Sequence, residues 1–221
     1  MNVLVLKIIA FLTMIIDHYG AIFQGDILAF RIIGRIAFPI YCFLLVEGYF
    51  HTSNVKNYAK RLLIFALISE VPFDLAFYDK IGFVHQNIFF TLFIGLVAIY
   101  LIDNKDKKYN FDKSAVIIIA CLSAIVLSVD YNVIGIIYIL MLYFTRSYDK
   151  LKRFKIVGFA MVVVNLSSSW LQQFSLLSLI PMYFYNGDLG PKNKIMQVLF
   201  YAAYPLHLLI FYLIKINIYF F

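Results

Sequence analysis

Between Val3 and Phe23 the chain runs apolar for a full bilayer crossing, broken only by Lys7, Thr13 and the adjacent pair Asp17-His18. A spanning helix needs about 20 mainly apolar residues, with roughly 17 to 25 tolerated. Comparable stretches recur down the chain, and most are apolar on every face, as when lipid is the solvent. Hydrophobic residues make up 63% of the sequence and charged residues only 14%. Soluble domains carry roughly 25% charged residues, which excludes a soluble globule. The expected fold class is all-α: a polytopic transmembrane helical bundle.

The apolar runs predict nine helices, over 3–23, 28–50, 58–77, 84–102, 114–129, 132–145, 154–171, 173–185 and 195–215. Region 154–185 also reads as one broken pair or a re-entrant hairpin, which makes eight the alternative. The linkers around 51–61, 103–113, 146–155 and 186–194 hold 14 of the 19 Lys and Arg residues. The intervening linkers hold only Lys80. The positive-inside rule places the basic linkers and the N-terminus in the cytoplasm, with Phe221 outside. The expected location is the cell membrane, multi-pass.

The first helix carries a short n-region and no small-residue cleavage site, so an uncleaved helix is expected rather than a signal peptide. No repeat or soluble insert divides the chain, and 1–221 reads as a single integral membrane domain. Cys42 and Cys121 lie in apolar stretches and suggest no disulfide framework. No zinc spacing, phosphate loop or dinucleotide fingerprint is present, and no metal is expected. The net charge of +7 is spread over short membrane-proximal loops. It reads as a topology signal rather than a nucleic-acid surface.

With that orientation, the intramembrane polar residues gather at one depth, the outer half. Asp17 and His18 sit about 20 Å above the start of the first helix. Arg31 and Arg35 lie near the outer end of the second, and Glu70 and Asp74 near that of the third. The fourth begins with His85-Gln86-Asn87, and Asp130 caps the fifth. Each intramembrane charge costs about 2.5 to 3.5 kcal/mol on insertion scales and usually faces a bundle interior or wet cavity. Arg31 and Arg35 share a helical face at i, i+4, as do Glu70 and Asp74. They read as a cationic clamp and an acidic face, or as two faces of one helix-to-helix ion pairing. Pro39 frees the Arg35 carbonyl and can kink the helix there. Asp17 and His18 point about 100° apart, which suits Asp17 to an arginine and His18 to acid–base work. In the last helix Pro205 loosens the backbone near His207.

These motifs resemble the TraX family. The resemblance rests on L6-K-I-I-A-F-L-T-M-I-I-D-H-Y-G20, I32-I-G-R-I-A-F-P-I40, L44-L-V-E-G-Y-F-H-T52 and R61-L-L-I-F-A-L-I-S-E-V-P-F-D-L-A-F77. It continues through H85-Q-N-I-F-F-T-L-F93, Y185-N-G187 and Y204-P-L-H-L208. It implies a bacterial polytopic inner-membrane protein whose relatives acetylate conjugative pilin and are grouped with acyl-CoA-dependent membrane acyltransferases. The family's Asp-His matches Asp17-His18, and its Tyr-Pro-x-His matches Tyr204, Pro205 and His207.

The expected function is transfer of an acetyl or other acyl group from acyl-CoA to an amine or hydroxyl of a protein or envelope acceptor. Such a reaction needs a base, oxyanion stabilisation and juxtaposition of donor and acceptor. His18 is the expected base, with His85 as the alternative. Arg35, with Arg31, would bind the oxyanion or donor phosphates. Gln86 and Asn87 would donate to the reacting carbonyl, and Glu70 and Asp74 would position the arginines or an acceptor ammonium. Asp17, Tyr204 and His207 complete the substrate-binding set. Because CoA is cytosolic, the thioester must reach the outer half from inside. Two rival readings use the same residues: a small transporter or flippase with a charged cavity, and a non-catalytic protein of envelope assembly.

Overall fold

The computed structural model describes residues 1–103, 111–191 and 193–220, so Lys105, Lys107, Lys108 and Lys192 of the basic linkers lie outside the described residues. The described chain is all-α: α1 (Val3–Phe23), α2 (Leu28–Gly34), α3 (Ala37–His51), α4 (Val55–Tyr78), α5 (Ile88–Asp103), α6 (Lys113–Val126), α7 (Asn132–Phe144), α8 (Lys150–Asn165), a 3-10 helix (Trp170–Ser178), α9 (Leu179–Tyr183) and α10 (Lys194–Phe220). α2 with α3 forms one leg, and the 3-10 helix with α9 another, so the described residues make nine legs. Three spans are long and apolar enough to cross a membrane, Val3–Phe23, Leu28–His51 and Ile195–Ile218; Ile88–Asp103, Lys113–Val126 and Asn132–Phe144 are shorter apolar helices. The protein is a multi-pass membrane helical bundle.

Successive legs alternate direction, which collects the basic linkers at one end of the bundle. Four helices starting there are capped by an Asn or Asp side chain accepting from the first turn: Asn2, Asn54, Asp112 and Asp149. At that end the Met1 amine donates to the Phe184 carbonyl at 2.8 Å, and Asn186 N donates to the Met1 carbonyl at 3.0 Å. At the opposite end Lys215 of α10 pairs with Asp79 after α4 at 2.7 Å. α1 packs between α2, α3 and α10, while α4 packs on α5 and α10. α3, α5 and α7 form the centre, where Phe43, Leu96, Ile136 and Ile139 are fully buried.

Several expected boundaries move for local reasons. The second span breaks around Arg35 and Ile36, between α2 and α3. Pro39 has no N–H for the Arg35 carbonyl, and in the first turn of α3 its missing donor costs nothing. α5 starts at Ile88 rather than 84. Gln86 instead bridges to Val129, with Gln86 N donating to the Ser128 carbonyl at 3.0 Å. α6 stops at Val126, and Ser128, Tyr131 and Asn132 take positive φ in the connection to α7. Asp130 therefore belongs to that connection rather than to a helix cap. The expected pair 154–171 and 173–185 becomes α8 and the 3-10/α9 leg, which pack against each other.

Candidate active site

The site forms at the end of the bundle away from the basic linkers, where α1 and the break between α2 and α3 meet. Asp17 leaves α1 toward α2. Its Oδ1 lies 3.0 Å from Arg31 Nη1 and 2.9 Å from Arg35 Nη2, and its Oδ2 is 3.0 Å from the same Arg35 nitrogen. Arg31 Nη1 also donates to the Asp17 carbonyl at 3.1 Å. One carboxylate thus serves two guanidiniums through charge-assisted bonds. Gly34 makes this approach possible: a Cβ there would overlap the Asp17 side chain. Arg35 reaches past Asp17, and its Nη1 donates to Gln172 Oε1 on the 3-10 helix at 3.3 Å.

His18 leaves α1 on the other side, toward α10. Its Nδ1 lies 2.7 Å from His207 Nε2, with the two rings nearly coplanar, 14° apart. The tautomers follow from the next bond along. His207 Nδ1 is 2.9 Å from the Ala203 carbonyl, which can only accept, so that nitrogen carries the proton. In the neutral ring His207 Nε2 is then bare and accepts from His18 Nδ1–H. The remaining nitrogen of neutral His18, Nε2, is left with a free lone pair. Phe77 and Tyr204 stand edge-on to His18, with ring centroids 5.2 and 6.0 Å away.

These side chains line a cavity of about 480 Å³. Asp17, His18, Arg31, Arg35, His85 and Tyr204 all border it. His85 lies in the connection before α5, and its Nε2 is 3.7 Å from Asp130 Oδ1. The Asp130 carboxylate beside it raises the His85 pKa above the ordinary 6.5, outweighing the opposing effect of desolvation. Tyr131 stacks on Phe38 at 3.8 Å, fixing one wall.

Other expected site residues lie behind this surface. Asn87 donates from its amide to Glu70 Oε2 and to the Ala66 carbonyl, the latter at 2.8 Å, and its Oδ1 accepts from Phe89 N at 3.1 Å. Asp74 accepts from Gly82 N at 2.8 Å and folds the connection onto α4. Gln86 is 2% exposed and holds the bridge to Val129 through its backbone. Glu70, Asp74, Gln86 and Asn87 thus build the turn that carries His85 and do not border the cavity. The ion pairing expected between Arg31/Arg35 and Glu70/Asp74 does not form: both arginines pair with Asp17, while Glu70 binds Asn87 and Asp74 binds Gly82 N. His207 is also set back, touching the cavity only through His18.

Sequence reasoning missed Gln172, Tyr41, Tyr131, Asn132 and Ser168, which also border the cavity. Gln172 belongs to a pattern that the 3-10 geometry makes legible. With Ser175 and Ser178 it recurs every three residues in a 3-10 helix, where i and i+3 eclipse, and all three are buried.

Comparison with known proteins places this geometry in context. The sequence profile described as TraX protein matches residues 3–215. A protein of Dichelobacter nodosus described as a probable fimbrial assembly protein, serogroup H1, is 32% identical over 154 residues, covering 62% of this chain and 59% of the relative. An uncharacterized protein of Rickettsia prowazekii (strain Madrid E) is 30% identical over 148 residues, covering 66% of this chain and 56% of the relative. The matches therefore span under two thirds of the length of either relative. No solved structure matches the chain. With the family profile running from α1 to within α10, the chain belongs to the TraX protein family.

Proposed function

We propose that this chain is an acyltransferase of the bacterial cell membrane that moves an acetyl or other acyl group from acyl-CoA to an amine or hydroxyl of a protein or envelope acceptor. The observation that carries the reading is the proton arrangement of His18. Nδ1 is occupied by His207, and the bare Nε2 belongs to a residue lining the cavity. A neutral imidazole so oriented is a general base near pH 7. The Dichelobacter relative's description as a fimbrial assembly protein supports a protein of an envelope appendage as one acceptor class.

In this scheme His18 Nε2 takes a proton from the acceptor nitrogen or oxygen as it attacks the thioester carbonyl. The new C–N or C–O bond forms, and the carbonyl oxygen gains the negative charge. Arg35, locked by Asp17 and Gln172, faces that charge, with Arg31 beside it. Collapse breaks the C–S bond, and the proton passes from His18 to the thiolate, giving free CoA. A positioned base contributes about 10²–10⁴-fold and a fixed oxyanion donor about 10²–10³-fold. His85 and Asp130 border the same cavity and would meet the acceptor.

Native membranes carrying the protein, given labelled acetyl-CoA, should transfer label to an acceptor, and His18→Gln should reduce the rate at least about a hundredfold. Wild-type rates in the His18→Gln, His85→Gln double variant would defeat the proposal. Solute uptake by proteoliposomes without any thioester would instead favour a transporter.

A further inference from the structure

The cavity lies at one end of the bundle and the basic linkers at the other, so a cytosolic thioester must be met far from His18. The 3-10/α9 leg joins the two ends and, with the residues just after it, carries three of the eight buried polar atoms that lack a hydrogen-bond partner among the described residues. Gln172 Nε2, Ser178 Oγ and Tyr185 Oη are buried without a hydrogen-bond partner, in that order along the leg, and Arg153 Nε of α8 is a fourth. Buried polar atoms are nearly always paired, so four orphans along one seam call for a partner. Gln172 and Ser178 lie six residues apart on the eclipsed face of the 3-10 helix, a rise of about 12 Å.

The seam ends in a cationic cluster. Arg146 Nε and Nη2 each lie 3.2 Å from a Glu47 carboxylate oxygen, and Arg153 Nη1 is 3.6 Å from the same group. Lys150 donates to the Tyr185 carbonyl at 3.2 Å. Two arginines thus share one carboxylate, and Lys150 beside them bonds a backbone carbonyl instead. The nearby Asp149 is engaged in capping α8, and Asp188 accepts from Gly190 N. Aromatic faces hold the arginines in place, with Phe50 4.1 Å from the Arg146 guanidinium and Phe43 5.0 Å from that of Arg153. Phe43 also packs edge-on to Tyr185 at 5.4 Å.

We propose that this seam is the donor site: the cluster of Arg146, Lys150 and Arg153 takes the phosphates of the CoA nucleotide, and the polar face through Ser178 and Gln172 takes the amide-bearing pantetheine arm. The inference rests on the acyltransfer reading and adds where the donor sits. The two amides of the pantetheine arm offer the donors and acceptors that the orphaned atoms lack. The acyl carbonyl then arrives beside Arg35, next to Gln172.

Two donors separate the parts of the site: acetyl-CoA, and acetylpantetheine, which lacks the nucleotide and its phosphates. With purified protein in lipid nanodiscs, the wild type should prefer acetyl-CoA. The Arg146→Gln, Lys150→Gln double variant should shrink that preference in kcat/KM at least about tenfold, as expected for lost bonds to charged phosphates. Arg153 remains to pair with Glu47, so the fold keeps its buried ion pair. Ser178→Val removes an orphaned hydroxyl and should keep or raise the melting temperature while raising KM for both donors. An unaltered donor preference in the double variant, or an unaltered KM in Ser178→Val, would overturn the site. Should the wild type transfer from neither donor, the acyltransfer reading fails. Equilibrium dialysis with radiolabelled CoA then decides the site alone: binding weakened by these variants supports it, and no binding or unweakened binding overturns it.

Discussion

Gly34 and Asp17 fit together as one unit: the Asp17 side chain occupies the space that any Cβ at Gly34 would fill. This contact brings α1 and α2 close enough for one carboxylate to reach both Arg31 and Arg35. Gly34→Ala should therefore push Asp17 off the arginines. The expected loss of stability is about 1–3 kcal/mol, the range for overpacking a filled site, read by thermal unfolding in detergent. Transfer activity should fall more steeply than stability, because Arg35 loses its anchor.

Removing the carboxylate tests the same unit from the other side. Asp17→Ala leaves two guanidiniums unpaired in a mostly buried setting, where breaking a buried pair costs about 3–5 kcal/mol. Asp17→Asn keeps the shape and loses the charge. Comparable melting losses in both variants would assign the contribution to charge pairing; a loss confined to alanine would assign it to packing.

His207 should matter to chemistry through His18 alone. His207→Phe keeps a ring against Phe11 and Phe211 but removes the acceptor for His18 Nδ1–H. His18 can then turn or change tautomer, and transfer should fall about 10²-fold or more. Nitrogen-15 NMR of labelled histidine should show His18 protonated at Nδ1 in the wild type and lose that preference in the variant. A wild-type rate in His207→Phe would show that the stack holds helices only.

The His85–Asp130 contact gives a pH signature. Because its folded pKa is raised, the stability it contributes is fully present below the unfolded value of 6.5 and is lost as pH rises through the folded pKa. Melting temperatures of wild type and His85→Gln should differ most in mildly acidic buffer and converge above the raised pKa. A gap that widens with pH would contradict the assignment.

Asn87 separates wall from lining. Asn87→Ala strips Glu70 of a partner and uncaps the start of α5, so stability should drop by about 1–3 kcal/mol. KM for acyl-CoA should change little, since Asn87 does not border the cavity. A large KM effect at unaltered stability would return Asn87 to substrate binding.

The polar layer at the end away from the basic linkers was readable because cost and geometry act locally. Charge in lipid is expensive enough to mark Asp17, Arg31 and Arg35, and the 100° step between neighbours separates Asp17 from His18 on the helix. Helical spacing says which residues share a face but not which helix that face meets. Arg31/Arg35 and Glu70/Asp74 looked complementary in sign, yet Asp17 reached the arginines first, and Glu70 closed a turn with Asn87. His18 and His207 are 189 residues apart, and nothing in the spacing of either helix marked them as neighbours. Gln172 escaped because an apolar count treats a glutamine among leucines as noise, while its period of three has meaning only once a 3-10 helix is known.

The unequal lengths of the legs have a consequence for the lipid. α1 and α10 have 21 and 27 residues, whereas α5, α6 and α7 have 16, 14 and 13. At 1.5 Å per residue the short helices extend only about 20–24 Å against a hydrocarbon core of about 30 Å. α5 and α7 lie at the centre, but α6 exposes Ile118, Ile119, Leu122 and Ile125, so acyl chains against it must shorten or splay, at fractions of a kcal/mol per Å. The protein carries a dimple in the bilayer along one flank, and membranes of short-chain lipids are its lower-energy home.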